Sequence, residues 1–447
     1  GDRRGPGCAP AGPPGTGRQS GIPDSGGAGR DPLVHPALKN GSMSTLITNI
    51  AELMTQDAEH RVLRDAAVVI EGERISWLGP AADAPAADER VDAGGRALLP
   101  GWVDSHTHLI FAGDRTAEFE ARMAGQSYSA GGIAVTTGAT RSTSDFDLTR
   151  LAMGRVAEAV SQGTTYLETK TGYGLDLENE ARSARIASTV ADEVTYLGAH
   201  LVPAGMDAEE YTELVCGPML TAVRPYVRWA DVFCEQGAFN EDQSRRVLLA
   251  CKAAGLGLRV HGNQLGEGPG VRLAVEVGAA SVDHVNYLSA ADVDALAASW
   301  SGWDAAGGSG TRGTVATCLP ACDLSTRQPL APGRELLDAG VQLALASNCN
   351  PGTSYTSSMA FCVTTAVLQM RLSVHEAVRA ATYGGALALG RESGNDVDGE
   401  RAVGSVAVGH RADLHLLNAP SATHLAYRPG IPLTHAVWRA GVAQPIR

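Results

Sequence analysis

Apolar and polar positions divide the chain into three kinds of pattern. Residues 1–42 carry no periodic apolar signal and hold eleven glycines and seven prolines. Such a stretch cannot bury enough surface to offset its ordering entropy, so it reads as a disordered Gly/Pro-rich extension. From Met43 the pattern changes. The runs "STLITNIAEL", "AAVVIEGERISWLG" and "RALLPGW" alternate or cluster β-formers between Gly-containing turns, which predicts short strands. The same texture returns in "VGSVAVGHRADLHLLN" and "THAVWRAGV". Two β-rich ends predict one composite, β-sandwich-like domain from residues 43–100 and 403–447.

Residues 101–402 have a different rhythm. Eight β-rich runs recur: "LLPGWVDSH", "GTTYLETK", "EVTYLGAH", "WADVFCEQ", "GLGLRVHGN", "AASVDHV", "GTVATCLP" and "VQLALASNC". Segments with helical spacing separate them, among them "DLTRLAMGRVAEAVSQG", "EDQSRRVLLACKAAG" and "PGRELLDAG". Strand–helix alternation implies parallel strands joined by right-handed crossovers. Eight such units predict an α/β fold, a (β/α)8 barrel, with a doubly wound open sheet as the alternative.

In a barrel the functional residues sit where the strands end. The first run ends with His106 and His108, the second with Glu168 and Lys170, and the third with His200. Glu235, His261, and the pair Asp283 and His284 end the next three, and the eighth leads into Asn348 and Asn350. Five of the twelve histidines therefore fall at predicted strand tops, which argues for a shared site. His106 and His108, at i and i+2, point the same way on a strand. Imidazole is a common ligand for zinc and iron. A third histidine, His261, would complete a set that leaves room for water.

Composition narrows the partners. A hydrophobic content of 44% in 447 residues suits a globular chain with a sizeable core. The formal charge of −13 argues against a nucleic-acid surface, which needs a basic patch. No apolar run reaches the ~18 residues of a membrane span. Eight scattered cysteines without a CxxC pair predict free thiols in a reducing, cytoplasmic setting. The expected partner is a small molecule, with neither nucleic acid nor membrane. Barrels of this kind are commonly dimers, so a homodimer is compatible.

The segments "DSHTHLIFAGDRTAEFEARMAGQSY", "ETKTGYGLD", "LGAHLVPAG", "ADVFCEQGAFN", "HGNQLGEGPGVRLAVEVGAASVDHV" and "NCNPGTSYTSSM" occur in order. From about residue 45 onward the chain resembles the imidazolonepropionase family of the amidohydrolase superfamily. That resemblance implies hydrolysis of the cyclic amide of 4-imidazolone-5-propanoate to N-formimidoyl-L-glutamate in histidine degradation. It implies one divalent or trivalent metal ion, zinc or iron, on His106, His108 and His261, with Asn348 at the fourth position. Arg115 would grip the propanoate, a role that suits a planar guanidinium fork. Tyr173, His200, Gln264, Asn350, Gly352 and Thr353 would also contact substrate, and His284 would act on the reacting carbonyl.

This sequence departs from the family at strand eight. The family carries an Asp there that ligates the metal and serves as general base; here the residue is Asn348. An amide is neutral and cannot take a proton from water. Asp323 and Asp283 are the nearby carboxylates that could substitute. Two further readings follow: a homologue that binds metal or ligand without efficient turnover, and a deaminase or other amidohydrolase acting on a different heterocycle.

Overall fold

Glycine at position 101 marks the corner where the first run splits. In the computed structural model, which describes residues 43–126, 132–304, 309–394 and 400–446, "LLPGWVDSH" forms the end of one strand and the whole of another. Strand β4 (Glu89–Pro100) ends before Gly101, and β5 (Trp102–Asp104) begins after it in a different sheet. A Cβ at position 101 would overlap the Thr165 side chain, so the corner needs glycine. The extension read over 1–42 lies outside the described residues.

The first sheet takes β1 (Ser44–Met54), β2 (Val62–Glu71), β3 (Arg74–Pro80) and β4 from the start of the described chain. It takes β15 (Leu414–Leu417), β16 (Thr434–Arg439) and β17 (Val442–Ala443) from the end. Their order is β17-β16-β15-β4-β1-β2-β3, and β1 pairs parallel with β4 while its other neighbour, β2, is antiparallel. Ile47, Ile50 and Leu53 of β1 bury against Val68, Ile70, Leu98, Leu414 and Trp438. The alternating texture of both ends thus reflects one shared apolar layer.

The second sheet is the barrel. Its strands are β5, β6 (Thr164–Lys170), β7 (Glu193–Ala199), β8 (Trp229–Cys234), β9 (Gly257–Gly262), β10 (Ser281–His284), β13 (Val315–Cys318) and β14 (Leu343–Leu345). All eight predicted runs are present, in chain order around the sheet. Every neighbouring pair is parallel. The remaining short pair, β11 (Trp303–Asp304) with β12 (Ser309–Gly310), is a separate antiparallel ribbon. The ends of the sheet meet beyond β5 and β14. Thr107 bridges Cys349, the His108 N–H donates to the Cys349 carbonyl at 2.9 Å, and the Asn348 N–H donates to the His106 carbonyl at 3.0 Å. That closure rules out the open doubly wound alternative.

Helices cover the outside, as the spacing predicts. In the helix Asp145–Ser161 the buried residues include Leu148, Ala152, Val156 and Ala159, one face at helical spacing. Ser144 caps it by accepting from the Asp147 N–H, and Asn240 and Gln243 form a reciprocal cap on Glu241–Ala253. No helix among the described residues is long and apolar enough to cross a membrane.

Gly101→Ala is expected to destabilise the fold by about 1–3 kcal/mol, the usual range for overpacking a filled site. The denaturant midpoint at unchanged slope is the measurement. A midpoint equal to that of the parent would show that the corner has room to spare.

Candidate active site

Strand ends put the site together. Asn263, His284, Val285 and Asn348 follow or end strands β9, β10 and β14 with φ of 56°, 86°, 51° and 51°. Left-handed backbone is uncommon for side chains with a Cβ and clusters at functional sites. All five strand-top histidines, His106, His108, His200, His261 and His284, are buried.

Three of them converge. One nitrogen each from His106, His108 and His261 lies within 4.8 Å of the other two. The Nε2 atoms of His106 and His108 are 3.3 Å apart. The opposite nitrogen of His106, Nδ1, is 2.6 Å from Asp283 Oδ2, and His261 Nδ1 is 3.0 Å from Asp231 Oδ2. A carboxylate on the far nitrogen is how a metal-binding imidazole is usually oriented. Burial, before any neighbouring charge, pushes His106, His108 and His284 well below the ordinary histidine range. Neutral imidazoles are the form that ligates. Asn348 Oδ1 is buried without a hydrogen-bond partner. The donor set therefore fits a metal ion, with three imidazoles and an uncommitted amide oxygen.

Beneath the histidines lies a layer of buried charge. Lys170 Nζ is 2.9 Å from Glu168 Oε1 and 3.1 Å from Asp231 Oδ2. Arg259 Nη2 is 3.1 Å from Asp283 Oδ2. Burial alone would raise the Asp283 carboxyl, but Arg259, His106 and Lys170 hold it well below its usual range. Asp283 is thus an ionised partner of His106 and Arg259, not a base facing the cavity. Asp231 and Arg259 were not foreseen. Their signal was a charged residue inside an apolar run, and for Arg259 the i, i+2 spacing to His261, which puts both on one face.

Most of the remaining candidates gather round a small cavity of about 30 Å³. Arg115, Tyr173, His200, Gln264, Asn350 and Thr353 line it together with His108, His261, His284 and Asn348. His200 stacks on His108 with ring centroids 5.6 Å apart, and its Nδ1 is 2.8 Å from the Gly172 carbonyl. Burial brings the His200 imidazole down to about 4. The Tyr173 ring sits 5.5 Å from that of His200. The Gln264 N–H donates to Glu235 Oε2 at 2.9 Å.

Two residues have a structural reason that the sequence did not disclose. Asn350 Oδ1 accepts from the N–H groups of Gly352 and Thr353 at 2.9 and 2.8 Å, and its Nδ2 donates to the Asn348 carbonyl at 2.6 Å. Its side chain therefore ties the "NPGT" turn together. A Cβ at Gly352 would overlap the Arg115 guanidinium. Glycine there makes room for Arg115, whose Nε and Nη2 meet Glu118 Oε2 and Oε1 at 2.8 and 2.6 Å. Arg115 also borders a larger outer depression of about 490 Å³, lined by Phe119, Leu324, Tyr355 and Phe361 among others.

The comparisons with known proteins agree with this geometry. The chain is 92% identical over 400 residues to imidazolonepropionase of Arthrobacter sp. (strain FB24), covering 90% of this chain and 99% of that protein. It is 68% identical to imidazolonepropionase of Micrococcus luteus over 403 residues, 89% of this chain and 98% of the relative. The chain belongs to the imidazolonepropionase family. No protein-family model matches it. Among solved structures, the E241Q mutant of atrazine chlorohydrolase TrzN from Arthrobacter aurescens TC1, complexed with zinc and atraton, superposes with a TM-score of 0.66. It is 18% identical and covers 89% of this chain and 94% of its own. An adenosine deaminase from Xanthomonas campestris with bound zinc gives 0.65 at 20% identity over 89% of this chain and 92% of its own. At that identity these likenesses speak to the fold alone, a parallel barrel with a second sheet beside it.

Lys170 is shared between two buried carboxylates. Replacing it with methionine is expected to cost about 3–5 kcal/mol of stability, the range for breaking a buried ion pair from one side. Chemical denaturation measures it, and a loss under about 1 kcal/mol would contradict the charge layer's assigned weight.

Proposed function

We propose that the protein opens the ring of 4-imidazolone-5-propanoate by hydrolysis, giving N-formimidoyl-L-glutamate, with one zinc or iron ion held by His106, His108, His261 and the amide oxygen of Asn348. The observation that carries this reading is the union of a three-imidazole cluster with Arg115 around one cavity. The family membership supplies the substrate; the residues supply a cation for its carboxylate and a donor set for the ion.

When bound, the ion supplies Lewis acidity toward a water and the ring carbonyl. The chain's own residues do the rest. Asp283 and Asp231 fix the rings of His106 and His261 from behind. Arg115 takes the propanoate, and Glu118 holds the Nε–Nη2 edge so that the guanidinium plane is set. Tyr173 and His200 wall the ring's side of the cavity, and Gln264 offers an amide to its polar edge. Thr353 lines the cavity beside them with its hydroxyl bonded to the Asn350 amide, and Asn350 and Gly352 shape the turn under Arg115. His284, a buried neutral imidazole at the cavity wall, orients the reacting carbonyl and can carry a proton toward the leaving nitrogen. Close packing excludes competing water.

Purified protein should release N-formimidoyl-L-glutamate from the imidazolone, lose that activity to a chelator, and regain it with zinc or iron. Arg115→Gln should raise KM for the same substrate, since losing two charge-assisted hydrogen bonds costs about 2–4 kcal/mol, roughly 30- to 1000-fold. Ammonia release from a nucleobase without imidazolone opening would favour a deaminase instead.

Asn348 brings the oxygen of the family's carboxylate without its charge or basicity. Asn348→Asp should therefore raise kcat, by up to about 10²–10⁴-fold, the range of a positioned general base. Equal rates for the two forms would remove residue 348 from the proton's path.

A further inference from the structure

A second cluster of donors lies beside the first. One nitrogen of His284, the Cys322 thiol and one Asp323 carboxylate oxygen fall within 4.8 Å of one another, and all three residues are buried. None of the three belongs to the His106, His108 and His261 set. His284 stands at the end of β10, and Cys322 and Asp323 lie in the short helix Pro320–Thr326 after β13. The top of the neighbouring strand thus faces the first turn of a helix.

We infer that His284, Cys322 and Asp323 form a second, inhibitory site for a divalent cation of the zinc class, whose occupancy withdraws His284 from the reaction. The first support is the donor chemistry. Imidazole nitrogen, thiolate and carboxylate are the three ligand types that zinc combines, and thiolate selects soft ions over magnesium or calcium. With the thiol and carboxyl ionised the set carries two negative charges, which a divalent ion neutralises. The second support is the state of the donors. His284 Nδ1 is buried with no hydrogen-bond partner. Around the Cys322 sulfur stand Gln264 Nε2 at 3.9 Å and the hydrogen-bonding side chains of Asn348 and Thr353, with no charged partner among them. Asp323 Oδ2 receives one long bond, 3.4 Å, from the Ala331 N–H, and Asn286 also bonds the carboxyl.

The geometry needs little adjustment. Metal–ligand distances of about 2.0–2.3 Å in a tetrahedral site put the ligand atoms roughly 3.3–3.6 Å apart, so the three atoms, all within 4.8 Å of one another, need close by at most about 1.5 Å. The left-handed backbone at His284 (φ 86°) and Val285 (φ 51°) fixes the histidine end. Burial pushes the Cys322 thiol up to about 12 and the Asp323 carboxyl up to about 7. Binding the ion releases the thiol proton, and that of any protonated carboxyl, to solvent.

The binding claim stands without the proposed reaction; the inhibition claim rests on the role given to His284 there. The test is a zinc titration of the holoenzyme carrying its first ion, followed by metal analysis and activity in parallel. Wild type should take up one further equivalent and lose activity as it does so. Cys322→Ser should keep its activity at limiting zinc, take up no second equivalent and resist the inhibition. Cadmium in place of zinc should give near-ultraviolet thiolate-to-metal absorption in wild type that Cys322→Ser lacks. Asp323→Asn, a nearly isosteric change, checks the result independently of the cysteine and should also weaken the second equivalent. Identical stoichiometry in wild type and Cys322→Ser would overturn the site. A second equivalent that binds through Cys322 while activity persists would keep the site and overturn the withdrawal of His284.

Discussion

The contact of His106 Nδ1 with Asp283, 2.6 Å across the barrel, is the constraint from which the site follows. It joins the first barrel strand to the sixth. It also fixes which nitrogen of His106 turns toward His108. Asp283 can do this only because Arg259 and Lys170 keep it ionised in a site where burial alone would protonate it. Lys170 in turn is shared between Glu168 and Asp231, and Asp231 orients His261. Two of the three converging imidazoles, His106 and His261, are therefore oriented by a buried network of charges, while His108 stacks on His200. A network of this kind rigidifies only while every member is satisfied, which is why single replacements within it carry large expected effects.

The barrel was legible because its strands are bounded by turns and its interior repeats. Runs such as "GTTYLETK" are buried along their whole length, so they read as strands by composition and length. The HxH pair was legible for a simpler reason: spacing of two on a strand puts both rings on one face. Arg259 and Asp231 were not legible. A charged residue within an apolar run has no visible partner until strands β8, β9 and β10 lie side by side. The closing contact between Thr107 and Cys349 joins residues far apart in the chain, and no periodicity in the sequence could separate a closed barrel from an open sheet.

Arg115 and Gly352 show a different limit. The sequence marks Arg115 as a carboxylate binder by resemblance and Gly352 as part of a turn. Their relation appears only in three dimensions, where the glycine leaves the space that the guanidinium fills. Asn350 is similar. Its amide is spent within the turn that sets Gly352 in place. The corner at Gly101 belongs with these cases, since the reason for glycine there is a threonine on another strand.

Charge balance bears on the neutral residue at 348. Three carboxylates, Glu168, Asp231 and Asp283, are paired with two cations, Lys170 and Arg259. The layer beneath the imidazoles therefore carries one net negative charge. A divalent ion bound above it would leave the centre with a surplus positive charge, which a carboxylate at 348 would cancel. Asn348 would keep that surplus, and electrostatic stabilisation of a developing oxyanion is strongest where positive charge is preorganised in a water-poor site. The same amide cannot receive the proton that water must lose. In the proposed reaction an amide at 348 would thus trade proton acceptance for electrophilic strength.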